Sequence, residues 1–220
     1  MKRKLYILIA CAIASTLVFT ACSKDKTTEG EGEDGASTDI TVDLGDPSLP
    51  PVDDTNKALY AGAQAIYEEI SLGTLPTDQE QTFEKDDYTY YKVDDPRFTT
   101  YDEFNTYLAQ YFTESFINGE ILSDSNLLLT KDDNGDLYFL GMGRGTNIYY
   151  AGHTFEVDKE GEQEMTLRAT AYYNNELDTD TAEPFFTAPE NPDDYTVQTY
   201  AFTLLPVDGA WRFDNFHLFY

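Results

Sequence analysis

The sequence predicts one α+β domain over residues 55–220, in which N-terminal helices pack on a curved antiparallel β-sheet. Two observations predict this class. Amphipathic helical segments come first, and a run of alternating, strand-like segments follows them. Turn dipeptides such as Asn134-Gly135 and Asp208-Gly209 separate those segments. Helices and strands that are segregated along the chain are typical of α+β folds.

The first helix is predicted from about Thr55 to Leu72. Four apolar residues recur there at spacings of four, three and four, which places them on one helical face: Leu59, Ala63, Ile66 and Ile70. Gly73 is expected to end the helix, because glycine readily adopts the left-handed conformation found at many helix ends.

The second helix is predicted to begin at the capping box Thr100 to Glu103. In such a box the threonine hydroxyl and the glutamate carboxylate each accept a hydrogen bond from a free amide at the helix start. Its buried face is expected to hold Phe104, Tyr107, Leu108, Tyr111 and Phe112. A short third helix is predicted to follow from Thr113 to Asn118-Gly119.

Strands are predicted in pairs that tight turns join. The paired segments are 82–83 with 88–93, 127–131 with 137–140, 155–157 with 165–173, and 197–205 with 211–213. The second pair flanks Asn134-Gly135, a dipeptide that strongly favours hairpins. After the last pair the aromatic residues change parity between Phe213 and Phe216, which predicts a β-bulge at Asp214-Asn215.

Residues 1–21 have a basic start, an uncharged apolar stretch from Leu5 to Phe19 and small residues before Cys22, as signal peptides do. The segment Val18 to Ser23 resembles the lipobox of bacterial lipoproteins, in which the cysteine carries a lipid. An earlier match ending at Cys11 leaves too short an apolar stretch. We expect a lipid on Cys22 and a lipid-anchored location on the extracellular face of the cell membrane. A cleaved signal with a free cysteine is the alternative.

Residues 22–54 are predicted to be a disordered acidic tether, because too few apolar residues are present to offset the entropy of ordering. Removal of residues 1–21 takes away three of the fourteen basic residues and none of the 41 acidic ones, so the net charge changes from −27 to −30. This field excludes nucleic acid and anionic lipid headgroups as partners. The negative charge favours a basic protein surface or cations as partners, or it serves solubility alone.

Side chains suited to catalysis are scarce. His153 and His217 are the histidines, and no serine lies in a nucleophile-elbow context. An acylated Cys22 offers no thiolate. Carboxylates are abundant, but no spacing marks a pair for acid–base chemistry. We predict a protein that is not an enzyme, with no catalytic residue and no cofactor.

A metal site is not predicted. The acidic turn Asp132 to Asp136 suggests Ca²⁺, but the EF-hand pattern requires glycine where Leu137 stands and glutamate where Gly143 stands. The expectation is a plain hairpin turn, with a weak exterior Ca²⁺ contact as the alternative.

Candidate binding residues fall in two segments and are Arg144, Asn147, Tyr149, Tyr150, Phe185 and Phe186. The first segment begins with Gly141 to Asn147, which lacks the Lys-Ser/Thr ending of a phosphate loop. We expect its arginine to pair with a carboxylate such as Asp94 or Asp95. The two phenylalanines lie in a long connection, Asn174 to Tyr195, and either anchor that loop on the sheet or form an exposed docking knob.

The order of helices and strands, with the closing segment Asp208 to Phe216, resembles the NTF2-like and cystatin-like lipoproteins of Gram-positive bacteria. A narrower resemblance, in spacing over Leu59 to Asp214, is to the IseA family of D,L-endopeptidase inhibitors. It rests on Ala61 to Ile66, Tyr88 to Val93, Phe98-Thr99, Leu108, Tyr111-Phe112-Thr113, and Leu137-Tyr138 with Gly143-Arg144-Gly145. The long insertion Asn174 to Tyr195 departs from that pattern.

The IseA resemblance implies a secreted, rigid, non-catalytic protein that occludes the cleft of a cysteine hydrolase of the cell wall. An acidic protein suits a basic hydrolase. The leading hypothesis is a protein-binding module of the Gram-positive cell envelope that inhibits peptidoglycan D,L-endopeptidases. The first resemblance implies the alternative, an NTF2-like small-ligand-binding lipoprotein. A third hypothesis, an enzyme with a carboxylate base, requires a buried Asp or Glu beside a tyrosine.

Overall fold

The structure, a computed structural model, describes residues 42–176 and 183–220. The predicted signal peptide, Cys22 and the predicted tether as far as residue 41 lie outside the described residues. Residues 42–53, which the sequence assigns to the tether, contact the domain: Leu49 and Val52 pack against its core. The Lys57 ammonium also donates a hydrogen bond to the carbonyl of Leu44 at 3.2 Å.

Helix α1 spans Asp54–Leu72 and confirms the first predicted helix. The Asp53 carboxylate accepts a hydrogen bond from the Asn56 amide, and Gly73 ends the helix with φ 76°. The buried face holds Asn56, Tyr60, Ala63, Ile66 and Ile70. Leu59 is only half-buried, because Tyr60 takes the corresponding position on the buried face.

Helix α2 spans Tyr101–Leu108, and its capping box of Thr100 and Glu103 is confirmed. Helix α3, Glu114–Phe116, is capped by Thr113 as predicted and continues directly into a π-helical turn, Ile117–Ile121. The predicted end at Asn118-Gly119 is therefore wrong. Burial of Ile117 and Ile121, at 1% and 2% exposure, keeps the chain helical past the glycine.

In the described residues, eight strands form two four-stranded antiparallel sheets, and a 3₁₀ turn lies at Pro192–Asp194. Sheet one has the order β1-β2-β4-β3 and sheet two the order β5-β6-β7-β8. Their bounds are β1 Thr77–Lys85, β2 Tyr88–Val93, β3 Leu129–Lys131, β4 Leu137–Phe139, β5 Tyr150–Glu160, β6 Met165–Asn174, β7 Tyr195–Val207 and β8 Ala210–Phe213. The α+β class is confirmed, but the strands divide between two sheets where the sequence predicts one.

The predicted β-bulge at Asp214-Asn215 is wrong, because β8 ends at Phe213. The side chain of Asn215 replaces backbone pairing. Its Oδ1 accepts a hydrogen bond from the Thr203 amide at 2.7 Å, and its Nδ2 donates to the carbonyl of Ala201 at 3.0 Å. The chain then leaves the ladder and buries two aromatic rings of its final segment, Phe216 and Phe219.

The core between α1 and sheet two is filled by aromatic rings. The ring of Tyr60 on α1 lies 5.1 to 6.1 Å, centroid to centroid, from the rings of Phe155, Phe202, Phe213 and Phe216. The first three of these contacts are edge-to-face, a geometry that is favourable beyond the area that it buries. A filled interior is a rigid base for the loops at its surface.

Candidate functional site

The connection between β4 and β5 is the most exposed apolar loop of the described chain. Residues 141–149, called the contact loop below, are all exposed. Met142 and Ile148 have exposed fractions of 58% and 67%, the highest among large apolar residues of the described part, and the neighbouring Tyr149 is 41% exposed. Exposed apolar side chains that cluster in this way are typical of protein-binding surfaces.

The contact loop is fixed to the domain at both ends. The Arg144 amide donates a hydrogen bond to the carbonyl of Ser71 at 2.9 Å. A β-carbon on Gly143 would lie 2.2 Å from the carbonyl carbon of Leu72, so only glycine fits against the end of α1. At the other end, the Asn174 amide donates to the carbonyl of Tyr149 at 2.7 Å. The loop is therefore held in place before any partner binds.

Asn147 and the two tyrosines predicted beside it shape the second end of the loop. The Asn147 side chain accepts a hydrogen bond from the Tyr149 amide at 3.0 Å, and its carbonyl accepts one from the Tyr150 amide at 3.0 Å. This turn leaves the Tyr149 ring exposed and directs Tyr150 inward. Of the sequence candidates, Arg144, Asn147 and Tyr149 therefore belong to one exposed surface.

The expected pairing of Arg144 with Asp94 or Asp95 is wrong. Its Nη1 donates hydrogen bonds to two main-chain oxygens, that of Tyr220, the last residue of the sequence, at 2.9 Å and that of Gly145 at 3.2 Å. Asp95 is instead bound by Arg97, which is two residues away and needs no loop to reach it.

Arg97 forms a closed ion-pair site, called the Arg97 clamp below. Its Nη2 lies 2.6 Å from Oδ2 of Asp95, whose side chain is 3% exposed, and 2.5 Å from Oε2 of Glu69 on α1. The hydrogen bond to Asp95, together with the one to Glu69, raises the pKa of the guanidinium. The cation also lies 5.2 Å and 5.4 Å from the rings of Phe98 and Tyr107. This clamp joins α1 to the segment before α2.

A surface cavity of about 440 Å³ lies beside the contact loop. Its apolar walls come from α1, the π-helical turn, the segment before β3 and the final segment, through Tyr67, Ile70, Ile121, Leu128 and Leu218. Its polar lining includes Arg144, His217 and Asn126, with one carboxylate, Glu120. No local sequence pattern predicts this cavity, because the residues that line it are spread along the chain from Tyr67 to Leu218.

Tyr150 belongs to a buried polar site on β5. Its hydroxyl hydrogen-bonds Nδ1 of His153, while Nε2 of His153 donates to the carbonyl of Ser48 at 2.8 Å. A carbonyl only accepts, so Nε2 carries the proton and Nδ1 accepts from the tyrosine. Burial lowers the pKa of His153 and raises that of Tyr150, which keeps both groups neutral. Tyr150 is thus a half-buried residue that packs against the core.

Phe185 and Phe186 lie against β5, as expected for a loop anchor. The Phe185 amide donates to the carbonyl of Ala151, and the His153 amide donates to the carbonyl of Phe185, each at 3.0 Å. Gly152 lies opposite, and a β-carbon there would be 2.1 Å from the Phe185 oxygen. The Phe186 ring is 5.2 Å from the His153 ring, and both phenylalanines are half-buried.

Over residues 42–176 and 183–220, no group of three or more histidine, cysteine, aspartate or glutamate side chains is arranged to hold a metal ion. In the same part of the chain, no helix combines the length and the apolar character that a membrane span requires. The acidic turn of the β3–β4 hairpin binds its own backbone instead, since Asp132 accepts hydrogen bonds from the amides of Asn134 and Asp136 at 2.9 Å.

Comparison with known proteins gave one family. The family model described as IseA DL-endopeptidase inhibitor matches residues 52–217, which include α1, both sheets and the contact loop. No curated protein matches the chain. The likeness to NTF2-like proteins stays a prediction.

Proposed function

Because the chain belongs to the IseA DL-endopeptidase inhibitor family, we propose that it inhibits D,L-endopeptidases of the cell wall without catalysing any reaction itself. In this proposal the contact loop enters the substrate cleft of the enzyme and blocks it. The observation that carries the proposal is the exposure of Met142, Ile148 and Tyr149 on a loop whose two ends are fixed.

Fixed ends favour tight inhibition for a physical reason. A loop that is already ordered loses little conformational entropy when it binds, so more of the contact free energy becomes affinity. The three large side chains are suited to be the dominant contacts, since few residues of an interface supply most of its binding energy. Asn147 and the hydrogen bonds at Ser71 and Asn174 keep the loop ordered and do not themselves contact the enzyme in this proposal.

The negative charge of the protein supports a basic enzyme as the partner, because opposite charges attract before the two proteins touch. A net charge of −27 speeds association with a positively charged protein and repels acidic ones. This attraction acts over roughly a Debye length, about 10 Å at 0.1 M salt. We expect inhibition to weaken as salt is raised, mainly through slower association.

We also propose that Cys22 carries a lipid and holds the inhibitor on the extracellular face of the cell membrane, where wall hydrolases act. The lipobox-like segment Val18 to Ser23 supports this. Growth with a radiolabelled fatty acid is the test. The chain should be labelled, and Cys22→Ala should abolish the label while Cys11→Ala leaves it unchanged. Label that survives Cys22→Ala would overturn the anchor and leave the inhibitor proposal standing.

The inhibitor proposal is tested with the purified chain and a panel of D,L-endopeptidases from the same cells acting on peptidoglycan at low ionic strength. We expect inhibition that Ile148→Ser weakens by about tenfold or more, as for loss of a dominant interface contact. Val197→Ser is the matched control, because Val197 is also exposed, at 44%, but lies on β7. Full activity of every enzyme in the panel would refute the proposal.

The alternative, a small-ligand receptor, has less support. Aromatic rings fill the space between α1 and sheet two where such a pocket is expected. The cavity beside the contact loop is open to the surface and is better placed to receive part of a protein partner.

A further inference from the structure

Sulfur is scarce in the folded part of this chain, and a single sulfur-bearing side chain of the described part is exposed. The sequence holds two cysteines, Cys11 and Cys22, and three methionines, Met1, Met142 and Met165. The part that the structure describes therefore contains no cysteine and two methionines. Met165 lies in the core at 2% exposure, whereas Met142 is 58% exposed on the contact loop. A soluble reagent that attacks sulfur therefore meets Met142 first.

The thioether of Met142 stands between two glycines. Gly141 and Gly143 have no side chain to shield it. The main chain here is held against the end of α1: a β-carbon on Gly73 would lie 2.9 Å from the amide nitrogen of Gly143 and 3.0 Å from the carbonyl carbon of Met142. The backbone is thus fixed while the side chain is exposed, so an oxidant reaches the sulfur without any opening of the fold.

A methionine thioether reacts with peroxides. The sulfur lone pair attacks one oxygen of hydrogen peroxide, the O–O bond breaks, and the products are methionine sulfoxide and water. Sulfur loses two electrons and the peroxide gains them. The product is polar and chiral where the thioether was apolar, and dedicated reductases convert it back. Because access to the sulfur governs the rate, Met142 is the expected site of this reaction in the folded chain.

This chemical change falls on one of the three side chains that the proposed function places against the enzyme. A thioether is flexible and apolar, so it fits well into an apolar contact between proteins. The sulfoxide oxygen instead requires a hydrogen-bond donor, and burying it without one is unfavourable. Because the Met142 side chain is exposed in the free protein, oxidation leaves the fold intact while it weakens the contact.

We propose that Met142 is an oxidation site through which peroxides weaken the inhibition. In the reduced state its thioether contributes to the contact with the D,L-endopeptidase, and in the sulfoxide state the contact weakens and the enzyme is released. This rests on the proposed inhibitory function and adds a form of regulation to it. The sequence holds no cysteine after Cys22, so the response does not come from a disulfide or a sulfenic acid of the folded domain.

The first test locates the modification. The purified chain is treated with hydrogen peroxide, catalase stops the reaction, and mass spectrometry measures oxygen uptake at each methionine. We expect Met142 to react at least about tenfold faster than Met165, because exposure governs the rate. In chain unfolded by guanidinium the two rates should become equal, since burial no longer protects Met165. Equal rates in the folded chain would overturn the inference.

The second test measures the inhibition of a D,L-endopeptidase before and after the same treatment. Catalase removes the peroxide before the enzyme is added, so that no group of the enzyme is oxidised. We expect treated wild-type chain to inhibit about tenfold or more weakly, as for loss of a dominant interface contact. Methionine sulfoxide reductases of both stereochemical types, with their thiol reductant, should restore the inhibition. Circular dichroism of the treated chain checks that the fold is retained.

Two variants separate Met142 from the other groups that peroxide attacks. Met142→Leu has no sulfur on the contact loop, so its inhibition, whatever its strength before treatment, should not change with peroxide. Met165→Leu is the matched control: it keeps Met142 and should respond to peroxide as the wild type does. Leucine and methionine occupy similar volumes, so this core change is tolerated.

The outcomes distinguish this inference from the proposed function. Unchanged inhibition by chain whose Met142 is fully oxidised contradicts the inference, and so does an equal loss of inhibition in treated Met142→Leu. Wild-type chain that inhibits no enzyme before treatment refutes the proposed function instead, and with it the effect of oxidation on inhibition. The rates of sulfoxide formation then still decide whether Met142 is the modified residue.

Discussion

The Arg97 clamp and Arg144 place the same kind of side chain in two different surroundings. Arg97 is bound by two carboxylates and two aromatic rings, and it joins α1 to the start of α2. Arg144 lies on the exposed contact loop and binds two main-chain oxygens, those of Gly145 and of Tyr220, the last residue of the sequence. The first arginine joins elements of the core, while the second joins a surface loop to the final segment.

The difference shows that burial decides what an arginine contributes to stability. Asp95 is 3% exposed, so the Arg97 cation compensates a carboxylate that water barely reaches. Arg144 lies on a loop whose residues are all exposed, so water screens its contacts and they contribute little. We therefore expect the Arg97 clamp to contribute more to stability than the contacts of Arg144.

The largest effect is expected from Arg97→Ala. This change leaves Asp95 buried, at 3% exposure, without its cation, and should lower the free energy of unfolding by about 3 kcal/mol. Adding Asp95→Asn should recover part of the loss, because an amide needs no counter-charge. Arg144→Ala should change the stability by about 0.5 kcal/mol or less, as exposed substitutions do. Guanidinium unfolding measures all three, and a larger loss for Arg144→Ala would reverse the comparison.

These two arginines also show which features of the structure can be predicted from the sequence alone. The helix caps, the Asn134-Gly135 hairpin and the strand pairs depend on local chemistry and were predicted. The partner of Arg144 was predicted wrongly, because Arg97 lies closer to Asp95 along the chain and forms the ion pair with it. Local signals for Met142 and Ile148 did exist: they are the large apolar residues of a glycine-rich, acid-free stretch. The residues that line the cavity are spread along the chain from Tyr67 to Leu218, and no local pattern predicts that they meet.

The second largest effect is expected from Gly143→Ala, which tests whether inhibition depends on the position of the contact loop against α1. In Gly143→Ala the new methyl group would meet the backbone of Leu72 and Gly73, so the loop must move away from α1. We expect a loss of about 2 kcal/mol in stability, as for other overpacked sites, and weaker inhibition even at temperatures where the variant is folded.

Gly145→Ala is the control for Gly143→Ala, because nothing lies within 4 Å of a β-carbon at Gly145. It should leave stability and inhibition close to those of the wild type. Equal losses of inhibition in the two variants would mean that the loop needs flexible glycines rather than a fixed position against α1. Unfolding curves and inhibition assays on the same preparations separate the two readings.

A third prediction concerns the pH dependence of stability that the buried His153 causes. Burial lowers the pKa of His153 below its ordinary 6.5. The unfolded chain therefore takes up a proton at pH values where the folded chain does not, and stability falls as the pH drops below about 6.5. The slope is at most about 1.4 kcal/mol per pH unit for one group.

The His153 prediction is measured by denaturant unfolding at several pH values between 7 and 5. His153→Gln should flatten the slope in this range, because the group whose pKa is lowered by burial is then absent. The loss of stability should stop below the pKa of His153 in the folded chain, because this histidine is then protonated in both the folded and the unfolded chain. A slope that survives His153→Gln would assign it to other groups.

The smallest effect is expected at the ion pair between Lys92 and Asp136, whose Nζ and Oδ2 atoms lie 2.6 Å apart. Both side chains remain about a quarter exposed, at 25% and 29%, so water and salt screen their attraction. Lys92→Ala should lower the free energy of unfolding by about 0.5 kcal/mol, and less at high salt. Because the distance matches that of the Arg97 clamp while the burial does not, this pair isolates the effect of burial. A loss of the same size as for Arg97→Ala would mean that contact distance, and not the burial of Asp95, accounts for the strength of the clamp.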